Sequence, residues 1–588
     1  MKSDGLKLCG FLFCVSAGYA LLILCGLGVV VMAIPANVFS SQHTISNNLF
    51  FLLFNSQYVF GWLLVVCSPL FFGITFISKC LRKVQKSEFE PMSVTITLLT
   101  LVVSFFIQDI FFDHIPHVTD AISHIFQAKI FCLGRLYAPV PFCYKAFYQY
   151  NIYMTESGKW FAIYPPGHAL TLAAFLKAGL LVISGPLLHA CTIFAFMWLV
   201  RRFYNATTSL LCGTLSMLSP LLLLLSASYM SHLSFGFYSM IGIALYVAGI
   251  DRWRLNQYLH AFVVLFLAGL AIGMSILTRP QDSLLVAITA LACLPIIPIK
   301  LYRDMLVCTI FFIVGAILPG LFQLYWNHVF YGAALTLGYG RSIVGNMVPL
   351  CVPTFGFSET FTAVTAAKQF LWVSLKYNKV LLGWPTSLIF IPCCLLHKSK
   401  KARYDLICVF NMALVFGFYY FYSYYGQEYE CRFYALAAFC SIVLVARGIQ
   451  LFSAWLSANR FFSPGNAQAF VGIIVLIFIL YSFIYYWPTY LYPIYSTSYE
   501  QASVSVARKV NEAKLNNAIV LLPSDDKYTF FYSSGFMLND PLLEGPVIYA
   551  RNDAMQYSCL KKVYSNRFFY VFTETNEVGL SLLPLDIK

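Results

Sequence analysis

Phe470-Val471-Gly472-Ile473-Ile474-Val475-Leu476-Ile477-Phe478-Ile479-Leu480 is an uncharged stretch in the middle of an apolar run over 467–487. A helix that crosses the hydrocarbon core of a bilayer needs ~17–25 such residues. Read outward from this stretch, the chain holds further runs of that kind at 8–34, 50–78, 93–112, 186–203, 207–225, 230–250, 258–277, 283–299, 303–325, 380–396, 403–422 and 433–452. The sequence therefore predicts an all-α polytopic membrane protein with about 13 transmembrane helices. The first run exceeds the ~7–15 apolar residues of a signal-peptide core, so a retained helix is expected there.

Composition points the same way. Of 588 residues, 60% are hydrophobic and 11% charged, against roughly 45–50% and 25% in soluble chains. These proportions exclude a disordered chain, a coiled coil, a secreted disulfide scaffold and a soluble nucleic-acid binder. The net charge of +14 is of the kind that cytoplasmic loops of membrane proteins carry. Most of the 18 cysteines sit in apolar runs, where Cys behaves as a small hydrophobe. The tail after Trp487 holds only Cys559, so it is not expected to be a disulfide domain.

Basic clusters set the orientation. Lys2/Lys7, Lys79–Lys86, Arg201–Arg202, Arg252/Arg254, Lys300/Arg303, Lys398–Arg403 and Arg447/Arg460 fall on one side if the N-terminus is cytoplasmic and the C-terminus extracytoplasmic. A crossing at 167–183 would break this pattern, so that run is expected to lie on the outer face; a fourteen-span chain is the alternative. Three parts follow: residues 1–92 with two N-terminal helices, 93–487 as the main transmembrane module with an outer loop over 113–185, and 488–588 outside. The tail alternates β-like runs (Ile519–Leu522, Tyr528–Tyr532, Val547–Tyr549, Phe568–Phe572) with polar turns, the pattern of a small α/β domain.

Polar residues are scarce in such a chain, so their clustering is informative. The outer loop opens Asp113-His114-Ile115-Pro116-His117-Val118-Thr119-Asp120-Ala121-Ile122-Ser123-His124-Ile125-Phe126-Gln127-Ala128-Lys129. Pro116 ends the preceding structure, and Thr119 can cap a helix beginning near Asp120. On that helix Asp120, His124 and Gln127 share one face. Catalysis competes there with a solvated helix start, whose Asp favours the helix dipole, and with a metal site of His117, Asp120 and His124. Further on, Tyr164-Pro165-Pro166-Gly167-His168 makes a rigid turn that launches a helix over 168–183.

The order and sidedness of these motifs resemble the integral-membrane glycosyltransferases of the C superfamily, especially glycosyltransferase family 39 and its relatives. The shared features are Asp120 in an outer loop, Ala128 eight residues on, Gly134 and the Pro165-Pro166 turn. Met230-Ser231-His232, Thr278-Arg279-Pro280-Gln281-Asp282, Trp326–Gly332 with Gly338-Tyr339, Arg432, and the tail's Pro546–Arg551 resemble the bacterial branch. The likeness covers roughly residues 93–588. Two positions depart from it: the family's second acid is Ala121, and its basic residue before Pro-Pro is Tyr164. Asp113 could stand in for the missing acid.

The resemblance implies a bacterial plasma-membrane enzyme, with no nucleotide cofactor and no metal demanded by its residues. The donor would be a sugar on a polyprenyl phosphate, and the acceptor a hydroxyl of an envelope glycolipid, polysaccharide or protein. Membrane lipids, not nucleic acid, would be its surroundings. An acceptor hydroxyl needs a base and a leaving phosphate needs cations. Asp120, supported by Asp113, fits the base. His117, His124, Lys129, Tyr164, His168, His232, Arg279, Arg341 and Arg432 are the expected donor and phosphate contacts, Arg because its planar fork binds two oxygens. The rival readings are a transporter or flippase of a lipid-linked sugar and a non-catalytic scaffold for envelope assembly.

Overall fold

The structure, a computed structural model, describes residues 89–336, 338, 354–396, 401–496, 499–524, 530–575 and 579–586. The expected spans 8–34 and 50–78, and Arg341, lie outside the described residues. In chain order the helices are α1 (Phe89–Phe112), α2 (Thr119–Cys132), α3 (Gly167–Lys177), α4 (Ser184–Phe203), α5 (Ala206–Met217), α6 (Pro220–Ala227), α7 (Ser231–Arg254), α8 (Tyr258–Thr278) and α9 (Pro280–Ala292). They continue as α10 (Tyr302–Tyr331), α11 (Ala363–Val380), α12 (Ile391–Leu396), α13 (Ala402–Tyr420), α14 (Ala435–Ala458), α15 (Pro464–Tyr481), α16 (Tyr492–Tyr495), α17 (Ser505–Glu512), α18 (Ser533–Phe536) and α19 (Tyr557–Val563).

Among the described residues, eight helices are long and apolar enough to cross a bilayer: α1, α4, α7, α8, α10, α13, α14 and α15. The chain is a multi-pass membrane protein. Helices α5 and α6 pass the same test only as a pair bent by 56°. Ser219 causes the bend: its hydroxyl caps α6 by accepting from Leu222 N, and Pro220 at the first helical position supplies no N–H to continue α5. Two expected spans are not single long helices. The run 283–299 ends as α9 plus two short 3₁₀ turns at Pro295 and Pro298. The run 380–396 is mostly turns, broken at Gly383 and Pro385, before the six-residue α12, which holds Pro392 in its first turn. Of the eleven expected spans that fall among the described residues, eight are single long helices and one is the bent pair. Helix α3 has 11 residues, roughly 16 Å at 1.5 Å per residue, too short for a bilayer core.

Small residues let backbones meet in the bundle. A Cβ on Gly269 of α8 would lie 1.8 Å from the Phe312 carbonyl of α10, a contact that only glycine permits. Basic residues from three of the clusters, Arg202, Lys401 and Arg447, each find partners among the described residues. Arg202 pairs with Asp251 (3.1 Å), Lys401 Nζ donates to the Phe203 and Tyr204 carbonyls, and Tyr204 donates to Asp405, which also pairs with Arg447 (3.5 Å).

The outer loop carries a small antiparallel sheet, β1 (Ala138–Pro139), β2 (Ile152–Met154) and β3 (Lys159–Ala162), in the order β1-β3-β2. The tail holds β4 (Ala518–Leu522), β5 (Val547–Arg551), β6 (Phe568–Thr575) and β7 (Gly579–Pro584), in the order β5-β4-β6-β7. β4 is parallel to both neighbours and wholly buried, as its unbroken run Ala518-Ile519-Val520-Leu521-Leu522 requires of a strand covered on two faces. The expected strand Tyr528–Tyr532 is not one over its described residues: 530–532 turn directly into α18.

Loop and tail share one core. Ile122, Phe126, Phe147 and Trp160 of the loop pack in the same cluster as Val506, Ile519, Phe536 and Phe572 of the tail. A disulfide joins Cys143 to Cys559 across 416 residues, so the tail's lone cysteine has its partner in the loop. Disulfides of this kind stabilise by about 2–4 kcal/mol, chiefly by restricting the unfolded chain. Cys143→Ser and Cys559→Ser should each raise the rate of protease cleavage near Ser505, and the double variant should be no faster than either single. Limited proteolysis checks this; a wild-type rate in both singles would contradict it.

Candidate active site

Five segments converge at the end of the bundle under the loop: the start of α2, the start of α3, the start of α7, the α8–α9 junction, and the turn before α14. Local sequence explains each approach. Helix α2 begins at Thr119 with Val118 as a non-capping residue. The expected Thr119 cap does not form; its hydroxyl instead accepts from Asn151 Nδ2 at 3.0 Å. Helix α3 begins at Gly167, where a Cβ would meet Thr278 Oγ1 at 2.6 Å and the Leu277 backbone at 2.7 Å. That close approach sets His168 beside the α8–α9 junction and Arg279.

Arg432 is the electrostatic centre. It is buried, with Nη1 at 2.9 Å from Asp120 Oδ2 and Nη2 at 2.9 Å from Glu428 Oε2. Asp120 Oδ1 accepts from Asn151 Nδ2 at 2.8 Å. Tyr424 donates to Glu428. Arg279 pairs with Asp282, donates to Ser231 Oγ at 3.3 Å, and Tyr419 donates to Asp282 at 2.5 Å. The two guanidinium groups lie 5.8 Å (Arg279) and 5.3 Å (Arg432) from the centre of the Phe433 ring. His232 stacks on the same ring at 6.1 Å.

The histidines divide by partner. His168 Nε2 faces the Tyr229 carbonyl at 2.8 Å, which can only accept, so Nε2 carries the proton and Nδ1 accepts from Ser234 Oγ at 2.5 Å. Burial lowers its pKa to about 4. His124 lies edge-on to His168 at 4.7 Å and beside Tyr164 at 4.8 Å. Burial first, then His168, Arg279 and Arg432, hold it well below the ordinary histidine range. Both imidazoles are therefore uncharged near neutrality. Because the folded pKa of His168 is depressed, the unfolded chain binds a proton between about pH 6.5 and 4 that the fold does not. Stability should fall as pH drops through that window, by on the order of 3 kcal/mol. His168→Gln should flatten this dependence, measured as Tm against pH in detergent; an unchanged slope would contradict it.

Some expected contacts are held elsewhere. His117 faces two carbonyls, Tyr499 at 2.9 Å and Phe112 at 3.1 Å, and ties the end of α1 to the start of the tail. Lys129 Nζ donates to the Met537 and Asn539 carbonyls at 2.6 and 2.8 Å, and burial lowers its pKa to about 8. Both fasten the loop to the tail through backbone carbonyls, where the sequence suggested donor contacts. Asp113 is exposed in a left-handed turn with His114 (φ 47° and 58°). Among the described residues no group of three His, Cys, Asp or Glu is arranged to hold a metal ion.

Phe433, Tyr419, Asn151 and Ser234 were not legible as site residues. Asp282 stood in the quoted Thr278–Asp282 turn, and Glu428 stood four residues before Arg432, the spacing of an i,i+4 pair.

No protein-family model and no curated protein matches the sequence. Solved structures similar to the chain include two of one oligosaccharyltransferase and one of ArnT. ArnT from Cupriavidus metallidurans in the apo state is 11% identical with a TM-score of 0.46, over 82% of this chain and 92% of that one. The Archaeoglobus fulgidus oligosaccharyltransferase in complex with Zn and sulfate is 12% identical with a TM-score of 0.41, over 80% and 68%. The same oligosaccharyltransferase tethered to an acceptor peptide is 11% identical with a TM-score of 0.46, over 82% and 69%. Values this low describe a distant likeness and say nothing of a site.

Proposed function

We propose that this protein transfers a sugar from a polyprenyl-phosphate donor to a hydroxyl acceptor at the extracytoplasmic face of the membrane. The observation that carries the reading is the Asp120–Arg432–Glu428 cluster, with the Arg279 guanidinium beside the same Phe433 ring. Two buried guanidinium groups close to one ring are a concentration of positive charge that suits a phosphate. The Cys143–Cys559 disulfide supports the outer face, since disulfides persist in oxidising compartments.

In this reading the donor phosphate takes over part of the Arg432 fork, and Arg279, beside the same Phe433 ring, supplies a second cation. Charge-assisted contacts of this kind are worth about 1.5–3 kcal/mol each. Asp120, released from Arg432, faces the acceptor hydroxyl. The acceptor oxygen bonds to the anomeric carbon, its proton passes to the Asp120 carboxylate, and the lipid phosphate leaves with the electron pair of the broken C–O bond. Neutral His124 lines the sugar side as a hydrogen-bonding group, with His168 edge-on to it and held by Ser234 and the Tyr229 carbonyl. The acceptor is a glycolipid, glycan or protein hydroxyl.

Incubation of the reconstituted protein with radiolabelled polyprenyl-phosphate sugars and an envelope extract tests the proposal. Label moving from lipid to an acceptor is the expected result. Label crossing the bilayer with the lipid linkage intact identifies a flippase, and no change in either identifies a scaffold; both overturn the reading.

A further inference from the structure

His232 is buried, yet neither of its ring nitrogens has a hydrogen-bond partner. Its neighbours differ: His168 has both nitrogens engaged, and His117 faces a carbonyl on each side. The imidazole is not loose. It stacks on Phe433 with the planes 25° apart, and it begins α7 next to Ser231, whose hydroxyl accepts from Arg279. Arg279, Arg432, His124 and His168 are all within its electrostatic reach. A buried polar group without a partner costs stability, and such groups concentrate where a ligand completes them.

Resting on the donor reading above, we propose that His232 is the residue that reads the donor sugar. A neutral imidazole offers one N–H donor and one acceptor nitrogen on opposite edges of the ring. Its ligand must therefore supply an acceptor on one side and a donor on the other. A phosphate diester oxygen is an acceptor only. The hydroxyl on the carbon next to the anomeric carbon is the nearest donor to that phosphate on any sugar. His232 donates to a non-bridging phosphate oxygen held by the two guanidinium groups and accepts from this neighbouring hydroxyl. Two bonds to one rigid ring hold the C1–phosphate bond in a fixed orientation towards Asp120. The substrate class that follows is a polyprenyl monophosphate sugar with a free hydroxyl vicinal to the anomeric carbon, in preference to its 2-deoxy analogue.

The test uses the full-length protein in nanodiscs with short-chain polyprenyl-phosphate glucose, mannose, galactose and arabinose. The donor with the fastest turnover is then compared with its 2-deoxy analogue in wild type, His232→Gln and His232→Leu. Wild type should prefer the hydroxylated donor by about 10- to 100-fold in kcat/KM. His232→Leu should lose the preference, with its Tm without donor at or above that of wild type, because an unpartnered buried polar group has been removed. His232→Gln, which keeps one donor and one acceptor, should retain part of the preference. An undiminished preference in His232→Leu, or a Tm well below wild type, overturns the role of His232 while leaving the donor reading intact. No turnover of any donor by wild type overturns the donor reading itself.

Discussion

Asp120→Asn is expected to slow turnover by about 10²–10⁴-fold, the range that general-base catalysis contributes, with expression near normal. Asn keeps the size and one oxygen for Asn151 Nδ2, 2.8 Å away in the wild type, but it cannot take a proton. Arg432 loses one of its two carboxylate partners in this variant and keeps Glu428, so donor binding should be retained or modestly strengthened. Asp113→Asn is the matched control. Asp113 is exposed in the turn before α2, and its loss should change the rate by less than about tenfold, well short of the base's contribution. Paired kinetics on the two purified variants decide the matter. A normal rate in Asp120→Asn with a collapse in Asp113→Asn would move the base to Asp113.

Arg432→Gln should have the second-largest effect, and on two quantities at once. It leaves Asp120 and Glu428 without their shared cation in a buried setting, and breaking a buried ion pair from one side costs about 3–5 kcal/mol. It also removes the main phosphate contact. The two losses separate in further variants. Arg432→Lys keeps the charge between the carboxylates but not the two-pronged fork, so it should preserve most of the stability and lose donor affinity by about tenfold or more. Arg432→Gln with Glu428→Gln relieves one unpaired charge and should be more stable than Arg432→Gln alone. Thermal unfolding and donor Kd measured on the same preparations test both statements. Wild-type affinity in Arg432→Lys would mean that the fork does not hold phosphate.

Much of the architecture was legible because hydrocarbon imposes a length. The run 93–112 became α1, and 467–487 became α15 and its continuation. The failures have local causes. Ser219-Pro220 divides 207–225, and the prolines at 295, 298 and 385 break two runs whose average hydropathy alone suggested spans. Average hydropathy does not register a missing N–H.

The site was legible in part for a similar reason. Asp120, His124, His168, His232, Arg279 and Arg432 are polar residues beside apolar runs, and the bundle brings them together although more than 300 residues separate the first from the last. Lys129 and His117 have the same appearance in sequence but are bonded to backbone carbonyls of the tail and of α1. Carbonyl partners carry no sequence signature. Phe433 was invisible for the opposite reason: in a chain with 18% aromatic residues, one more phenylalanine gives no sign that two guanidinium groups and an imidazole pack on it. The Cys143–Cys559 link needed a partner search outside the tail, since the tail holds one cysteine.

The most direct test of the account is an electron cryo-microscopy map of the protein with a polyprenyl-phosphate sugar bound. The account predicts phosphate density beside Phe433, within hydrogen-bond distance of Arg432 or Arg279, with the sugar on the side of Asp120, His124 and His232. Phosphate density anywhere else, with the Asp120–Arg432–Glu428 cluster closed as it is here, would contradict it.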